Sequence, residues 1–464
     1  MRIPAILLAA ALASCAGPNV GTATVPPVTP PVAWRTDAGP VAPLQRDWWQ
    51  SFGDPALTAL VEQALANNTD IAIAMARVRE ALANVALARA QTLPTIDASL
   101  GAGRSRSVNA FGLPSEQNFA QPQVQAAYEV DLFGRLADQK AATRDSYFAS
   151  EAARDATRLS VAAAVASNYV TLRSLDARLE VARQTVQARA ESLRIAKSRV
   201  DRGYSPKLEL EQAQAEYDAT AQIVPQIELA IARTQDALSL LTGDTPRTID
   251  RGVTLDRLSA PLVPDGLPSE LLRRRPDVAQ AEFQLAATDK NLAAARKRFL
   301  PQVRLTSAAG VAFSTLLKDP ITIWSLGGSI LAPLFEGGRL TAQADAAAAQ
   351  RDQAAFAYRR TALTAFREVE DALAGVALID RQIVSAQSQR DALAEGLRLA
   401  TNRYREGYSP YLEQLDAQRG LLGAQLSLIQ LRADALNARI QLFQAMGGGW
   451  SRCPDGGVDC APGN

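Results

Sequence analysis

The sequence predicts an α+β membrane protein with an internal duplication, in which β-strands rather than helices cross the bilayer. Three observations carry this prediction. The 464-residue chain is 47% hydrophobic and rich in Ala, a composition typical of long helices. Its main landmarks occur twice in the same order, roughly 205 positions apart. No stretch after residue 15 reaches about 18 uncharged apolar residues, the length that a membrane-spanning helix needs.

The composition excludes most catalytic chemistry. The chain has no His, which removes histidine general bases, Ser-His-Asp triads and His-ligated metals. Its three Cys are too few for a disulfide scaffold or a four-thiolate zinc site. Lys+Arg 49 and Asp+Glu 48 nearly cancel, so a formal net charge of +1 gives no long-range attraction for nucleic acid. Phosphate-binding glycine motifs are also missing from the sequence. We therefore expect no enzyme, no cofactor, no metal and no nucleic-acid partner.

The N-terminus predicts export and lipid attachment. A single positive charge at Arg2 precedes an apolar stretch over 3–13, which is too short to span a bilayer as a helix. The stretch ends in Leu-Ala-Ser before Cys15, a pattern that resembles the bacterial lipobox. An ordinary signal peptide that happens to carry a Cys is the alternative. Ala16 rather than Asp after the cysteine favours the outer membrane, where attached acyl chains would hold the protein in the lipid.

The duplication rests on four landmarks. The helical run that begins near Asp70 and ends at Pro94 recurs from Asp277 to Pro301, with an offset of 207 at both ends. Two short motifs recur after it. They are Leu-Phe-Gly-Arg-Leu at 132–136, which returns with two added residues at 334–340, and Gly-Tyr-Ser-Pro at 203–206, which returns at 407–410. One structural unit is therefore used twice.

The duplication sets the expected domain organisation, with helix tips at 203–206 and 407–410. The expected segments are a signal peptide (1–14), a lipid-anchored Pro-rich and solvated tether (15–46), a first repeat (47–243), a linker or equatorial segment (244–266), a second repeat (267–450) and a tail (451–464).

Each repeat is expected to contain the same elements. A helix of about 25 residues comes first, then a β-hairpin within about 95–130 or about 302–334, whose strands are close to the length of a tilted membrane strand. The predicted strands cover 95–104, 121–130, 302–313 and 321–331. Helices over about 136–200 and 340–405 follow, each roughly 100 Å long. Single returning helices then run to about 241 and 446, with Gly203 and Gly407 as C-caps and Pro206 and Pro410 in the first turn of the return.

Four strands per chain require an oligomer. An open four-stranded sheet in lipid leaves unpaired edge N–H and C=O groups, each of which costs several kcal/mol. Closure needs at least about eight strands, and a usable lumen needs more. Three chains give twelve strands, so a trimer is the smallest assembly with a pore. The small apolar residues of the long helices suit a wide helical tube, although a soluble coiled-coil stalk remains an alternative.

Several motifs together resemble TolC-type outer-membrane efflux proteins, and more narrowly the NodT-type lipoprotein branch that serves resistance-nodulation-division pumps. They are the Leu-Pro-Ser-Glu-Leu-Leu-Arg-Arg-Arg-Pro-Asp-Val stretch at 267–278, Tyr-Arg-Glu-Gly at 404–407, Leu-Asp-Ala-Gln-Arg at 415–419 and Gly-Gly-Gly-Trp at 447–450. The resemblance implies a homotrimer with a twelve-stranded β-barrel in the outer membrane, continued by a long periplasmic α-helical barrel. It further implies a passive exit duct for small molecules, whose partners are a periplasmic adaptor protein and an inner-membrane pump.

The resemblance also implies a gate at the periplasmic helix tips. Glu413 and Asp416 lie three residues apart on one helix face, so three chains would form two acidic rings. Tyr404, Arg405 and Arg419 are the candidates that hold the tips closed, and Glu209 of the first repeat is a candidate partner for a basic group. The alternative is that these charges only solvate a helix surface.

Two further sets of residues complete the expectations. The candidate adaptor contacts are the tip residues Gly203, Tyr204, Ser205, Pro206, Gly407, Tyr408, Ser409 and Pro410, which alternatively serve only to cap helices. Cys453 and Cys460 lie seven apart in a segment exposed to an oxidising compartment, where they could form a local disulfide. An exit duct for a type I protein secretion system and a non-conducting lipid-anchored stalk remain alternative functions. The sequence does not identify the transported substrates.

Overall fold

The computed structural model describes residues 21–36, 40–108 and 111–452. Cys15, Cys453 and Cys460 lie outside these residues. Within the described part of the chain, no helix is both long enough and apolar enough to cross a membrane.

Helices make up most of the described chain. They are α1 Pro55–Asn67, α2 Thr69–Ala90, α3 Arg135–Asp201, α4 Lys207–Ala221, α5 Ile223–Leu241, α6 Pro268–Arg274, α7 Pro276–Lys297, α8 Arg339–Arg405 and α9 Tyr411–Ala445. The two longest, α3 and α8, have 67 residues each and occupy equivalent positions in the two repeats. Because neither contains Pro, no residue interrupts the i→i−4 hydrogen bonds along their length.

The strands form two sheets. They are β1 Val41–Ala42, β2 Thr95–Val108, β3 Pro114–Val130, β4 Val263–Pro264, β5 Gln302–Ser314 and β6 Ile321–Leu331. The large sheet has the order β2-β3-β5-β6, and all its pairs are antiparallel. The short strands β1 and β4 form a parallel pair.

The register of the large sheet divides its side chains into two faces, because residues directly opposite each other point to the same side. Ala98, Val124, Ala309 and Trp324 form one such row. The large residues on this side are Ile96, Leu100, Val124, Tyr128, Val130, Val303, Leu305, Val311, Phe313, Trp324, Leu326 and Ile330. The other side is mostly polar and includes Asp97, Ser99, Gln121, Gln123, Gln125, Glu129, Arg304, Thr306, Ser325 and Ser329. The sheet is therefore apolar on one face and polar on the other.

The chain folds into two compact units that do not coincide with the two repeats. The first consists of the described residues up to Pro27 with Ala76–Glu151 and Gln280–Arg360, and it contains the large sheet. The second consists of Val28–Met75, Ala152–Ala279 and the described residues from Thr361 onward. Each unit draws segments from both halves of the sequence, so neither repeat forms a compact unit alone.

The second unit contains the main hydrophobic core. The indole ring of Trp48 stacks on Phe443 with 5.3 Å between ring centroids. At the edge of this core, the buried carboxylate of Asp54 caps α1 by accepting a hydrogen bond from the Ala56 N–H. The same carboxylate accepts the hydroxyl hydrogen of Tyr169 at 2.8 Å. This core fixes the start of the first repeat against α3.

The structure corrects several predicted boundaries. The first hairpin lies at 95–130 as expected, but its strands are longer, since the first reaches Val108 rather than 104 and the second begins at Pro114 rather than 121. The first returning helix is not continuous, because Pro225 lacks an N–H and cannot bond to the carbonyl of Ala221; the chain breaks at Gln222 between α4 and α5. Pro206 and Pro410 have extended backbones at the N-cap, not positions in the first turn.

The described part of the Pro-rich segment is also less solvated than expected. Most of residues 21–36 are exposed, but the indole N–H of Trp34 donates to the carbonyl of Gly266 at 2.9 Å, and its ring packs on Phe366. Arg35 forms an ion pair with Glu370 on α8. The segment is thus fixed to the second unit at its C-terminal end.

Candidate functional site

Two matched turns connect the long helices to the returning helices. Gly203 and Gly407 adopt left-handed φ values of 77° and 82°. At the end of α3, the N–H of Tyr204 donates to the carbonyl of Arg199 at 2.8 Å. The equivalent bond at the end of α8 runs from the N–H of Tyr408 to the carbonyl of Arg403, also at 2.8 Å. These bonds are the Schellman closure that only a left-handed residue permits without strain.

The turns project side chains into solvent. Tyr204 is 80% exposed and Tyr408 is 79% exposed, and each is followed four residues later by an exposed leucine, Leu208 or Leu412. The two serines differ, since Ser409 is buried whereas Ser205 is only partly buried. Each tip therefore offers an aromatic and an aliphatic side chain on an otherwise polar end.

Tyr404 occupies the centre of the tip contacts. Its hydroxyl donates a short hydrogen bond to the carboxylate of Glu209 on α4. The guanidinium of Arg199 on α3 lies 4.3 Å from the centre of the Tyr404 ring and donates to the backbone carbonyls of Tyr404 and Arg405 at 3.2 and 3.3 Å. Burial, together with Glu209, raises the pKa of the Tyr404 hydroxyl well above its ordinary value. The sequence suggested a basic partner for Glu209, and the structure places a phenol there instead.

A small apolar cluster lies behind this contact. Its buried members are Ala196, Ala213, Tyr404, Tyr411 and Leu415. The rings of Tyr404 and Tyr411 are 5.5 Å apart and tilted by 55°. Since these residues come from α3, α4, α8 and α9, all four helices of the tip share one packed layer.

A second ionic contact lies on the other side of this layer, and its central residue was missed by the sequence analysis. Glu216 on α4 accepts hydrogen bonds from Arg189 on α3, at 2.7 Å, and from Arg419 on α9. Arg189 is only 2% exposed, so Glu216 neutralises a buried charge. The sequence signal for this pairing is weak, because Arg189 lies 14 residues before Gly203 whereas Glu216 lies 10 residues after Pro206, so the two are offset by about one helical turn.

The predicted acidic residues lie at the solvent edge of α9. Glu413 and Asp416 have side chains that are 47% and 66% exposed. Each forms one long ion pair, Glu413 with Arg403 and Asp416 with Arg419, both at 3.9 Å. Because these pairs are long and exposed to solvent, both carboxylates stay hydrated and accessible to mobile cations. Within the residues that the structure describes, no group of three or more acidic or cysteine side chains is arranged to hold a metal ion.

The tip therefore contains two hydrogen-bonded contacts on either side of an apolar layer. Tyr404, Glu209 and Arg199 form the outer contact, which we name the tip contact. Glu216 with Arg189 and Arg419 forms the inner contact. Arg405 lies on the surface beside the tip contact and takes part through its backbone carbonyl.

Comparisons with known proteins agree with this architecture. A family model described as outer membrane efflux protein matches residues 60–244 and 267–448. The chain is 35% identical over 409 residues to the toluene efflux pump outer membrane protein TtgI of Pseudomonas putida, covering 86% of this chain and 87% of that protein. It is 31% identical over 408 residues to the probable outer membrane lipoprotein SilC of Salmonella typhimurium, covering 87% and 88%. The solved outer-membrane channel OprN superposes with a TM-score of 0.85 at 28% identity, covering 94% of this chain and 99% of that chain.

Proposed function

Because the chain belongs to the outer membrane efflux protein family, and is therefore the outer-membrane channel component of an efflux pump rather than an enzyme, we propose that it forms a passive, homotrimeric exit duct. In this proposal the duct carries small molecules outward, and its periplasmic end is closed by the helix tips. An inner-membrane resistance-nodulation-division pump supplies the energy, and a periplasmic adaptor protein joins the two.

The two-faced sheet is the observation that carries the proposal. Its order leaves β2 and β6 as outer strands, with no further strand paired to them in the described part of the chain. In lipid these edges must be paired, and copies joined β6 to β2 would pair them in an antiparallel way. Three copies give twelve strands and a lumen. The apolar face would then contact lipid, and the polar face would line the lumen.

The long helices would continue this wall as a periplasmic α-helical barrel. In the first unit, Arg351 of α8 pairs with Asp289 of α7 at 2.9 Å, and Lys297 of α7 pairs with Asp138 of α3 at 2.6 Å. Helix α7 therefore contacts both long helices within this unit. In the proposal, copies repeated around an axis extend these helix contacts into a tube.

For the gate, we propose that the tip contact holds the closed state. Opening would break the bond from Tyr404 to Glu209 and withdraw Arg199 from the ring. Three copies of Glu413 and Asp416 would form two acidic rings at the constriction, which would favour cations over anions. Arg419 would limit how far α9 moves through its bond with Glu216, and the carbonyl of Arg405 would restrain the end of α8 through its bond with Arg199.

For the adaptor, we propose that the two turns are the docking points. The exposed Tyr204 and Tyr408, with the leucines that follow them, supply apolar contact area that a helical partner could cover. Because each chain carries two equivalent turns, a trimer would offer six. The remaining turn residues, Gly203, Ser205, Pro206, Gly407, Ser409 and Pro410, would fix the direction in which these side chains point.

For attachment to the outer membrane, we propose lipidation at Cys15. The similarity to a probable outer membrane lipoprotein supports this assignment. The relative named for toluene efflux supports a cargo of small molecules.

Two measurements on the purified, detergent-extracted protein test the proposal. Native mass measurement should give three chains per particle, and planar bilayers should show small, cation-selective single-channel currents. A particle of one or two chains that never conducts would contradict the proposal and leave a lipid-anchored stalk as the better explanation.

A further inference from the structure

The hairpin β2–β3 extends beyond the rest of the large sheet. Pairing between β3 and β5 ends at Phe119 and Ser314, whereas pairing between β2 and β3 continues to Val108 and Pro114. Residues 104–108 and 114–118 therefore form a two-stranded arm that carries no third strand within the described residues.

Two arginines lie on this arm, on the same side as the apolar face. Arg104 and Arg106 follow Ile96 and Leu100 at even spacing along β2, so all four side chains project to one side. Arg104 contacts the carboxylate of Glu116 at 2.9 Å, and Arg106 contacts it at 3.4 Å. Both arginine side chains are about 70% exposed. Together, Arg104, Arg106 and Glu116 carry a net charge of +1.

The arm lies at the end of the apolar band. Asn118 of β3 is the cross-strand partner of Arg104, and it is twelve residues from Val130, which lies in one row with Val303 and Ile330 at the opposite end of the apolar face. Twelve residues of strand measure about 41 Å, or about 31 Å along the membrane normal at a tilt of about 40°. The apolar band of a membrane sheet is about 25 Å tall. The arginines are thus placed at the level of lipid headgroups, on the side where lipid would lie.

We propose that Arg104 and Arg106 bind the phosphate groups of anionic lipid in the outer leaflet. This inference rests on the proposed placement of the sheet in the membrane. A guanidinium offers a planar pair of N–H donors that matches two phosphate oxygens. A strand surface without cations cannot bind a phosphate in this way. Glu116 accepts a hydrogen bond from Arg104 and forms an ion pair with Arg106, so it lies between the two guanidinium groups and faces only part of their N–H donors.

The arrangement is unexpected for a purely solvated surface. Charged side chains on a lipid-facing surface are unfavourable at the bilayer centre and tolerated only near its edges. Two cations on alternate residues of one strand repel each other, and the single carboxylate between them compensates only one. A phosphate bound on the lipid side would neutralise the remaining charge.

The test uses full-length protein in detergent and native mass measurement of bound diphosphoryl lipid A. The double variant Arg104→Gln/Arg106→Gln should bind this lipid at least about tenfold more weakly than the unmodified protein, because two charge-assisted hydrogen-bond partners are lost. The matched control is Arg367→Gln/Arg398→Gln, which removes two exposed arginines that also pair with neighbouring carboxylates. The control should bind within about twofold of the unmodified protein.

Two further measurements test whether the bound phosphate belongs to a lipid or to a free anion, and whether the charge of Glu116 affects binding. Inorganic phosphate at the concentration of the buffer should not displace the lipid, since a free anion lacks the apolar chains that hold the headgroup beside the sheet. Glu116→Gln should strengthen binding, because it removes the carboxylate that competes with phosphate. Equal binding by the Arg104/Arg106 variant and the unmodified protein, or an equal loss in the control, would overturn the inference.

The placement of the large sheet in the membrane is tested separately, by the fluorescence of a tryptophan on its apolar face. Trp324 lies in the middle of β6 on the apolar face and is highly exposed. In vesicles that contain brominated lipid, its fluorescence should be quenched, and Trp324→Phe should remove the quenched component. Absence of this component would contradict the proposed duct, whereas its presence with unchanged lipid A binding would contradict only the role of the arginines.

Discussion

The hydroxyl of Tyr404 and the carboxylate of Glu209 are hydrogen-bonded across two helices that are 195 residues apart in sequence. This bond joins the second repeat to the first at the helix tips. It is flanked by a guanidinium over the ring of Tyr404 on one side and by an apolar layer on the other. In the proposed gate, this bond would hold the closed state, because it is partly buried and still lies close to an exposed turn that a partner can reach.

Replacement of Glu216 by Gln should destabilise the tip strongly. Arg189 would keep its buried charge but lose its carboxylate, a change that typically costs about 3–5 kcal/mol. Hydrogen exchange of amides near residues 189 and 216 should become at least about a hundredfold faster. Glu228→Gln is the matched control, because Glu228 pairs with Arg183 on the protein surface. That control should change exchange very little, and similar rates in the two variants would show that the inner contact is not structural.

Gly407→Ala should destabilise the turn after α8. Nothing lies within 4 Å of the position of the added Cβ, but the φ of 82° is unfavourable for any residue with a side chain. We expect a cost of about 1–2 kcal/mol. Gly396→Ala is the control, because Gly396 lies inside α8 with open space around it, and Ala there should stabilise the helix by about 1 kcal/mol. Thermal midpoints that move in the same direction for both variants would disagree with this explanation.

Alkaline pH should destabilise the second unit partly through Tyr169. Burial and the nearby Asp54 raise the pKa of its hydroxyl to about 12, whereas an unfolded tyrosine has a pKa of about 10. The neutral hydroxyl is therefore favoured in the folded state, so its stabilising contribution is complete below about pH 10 and is lost as pH rises to about 12. Over that window it should contribute a slope of about 1.4 kcal/mol per pH unit. Tyr169→Phe should remove this slope in denaturant titrations, and an unchanged slope would exclude Tyr169 as its source.

The combined substitution Glu413→Ala/Asp416→Ala tests the acidic rings. Loss of the two exposed carboxylates should raise single-channel conductance and weaken the preference for cations, because it removes negative charge and bulk from the constriction. Glu395→Ala/Asp371→Ala removes two exposed carboxylates of α8 away from the tip and should leave both properties unchanged. Currents of wild-type size and selectivity in the tip variant would remove these residues from the gate.

Much of the fold followed from local sequence signals. The absence of Pro from long Ala-rich stretches predicted α3 and α8 to within one or two residues, and the repeated Gly-Tyr-Ser-Pro motif located both turns. The second hairpin was predicted nearly to the residue, because β-branched and aromatic side chains fill it. The first hairpin was predicted over the right residues but with strands that are too short, because Asn118 and Pro114 have low strand propensity and cross-strand pairing extends the strands to include them.

The remaining errors have two causes: one local signal was overlooked, and the other errors concern contacts between segments that are distant in sequence. The break at Gln222 follows from Pro225, a local signal that the predicted continuous helix overlooked. The docking of Trp34 on Gly266 and Phe366 has no counterpart in local composition, since it depends on surfaces more than 200 residues away. Glu216 was missed for the same reason, because its two partners come from different helices and neither is close in sequence.

The most direct measurement of the gate is a reversible cross-link between positions 404 and 209. Tyr404→Cys/Glu209→Cys, in a background with Cys453 and Cys460 replaced by Ser, would be joined by a thiol-reactive cross-linker with a cleavable disulfide in its spacer, because the phenol and the carboxylate meet at the ends of long side chains and two cysteines there are too short for a direct bond. With the cross-link in place we predict single-channel currents no larger than those of the unmodified protein. Reduction in the same bilayer should raise the conductance above that level, because the variant then has neither the cross-link nor the native hydrogen bond. Currents that are identical before and after reduction, with the cross-link verified by mass, would contradict a gate closed by this contact.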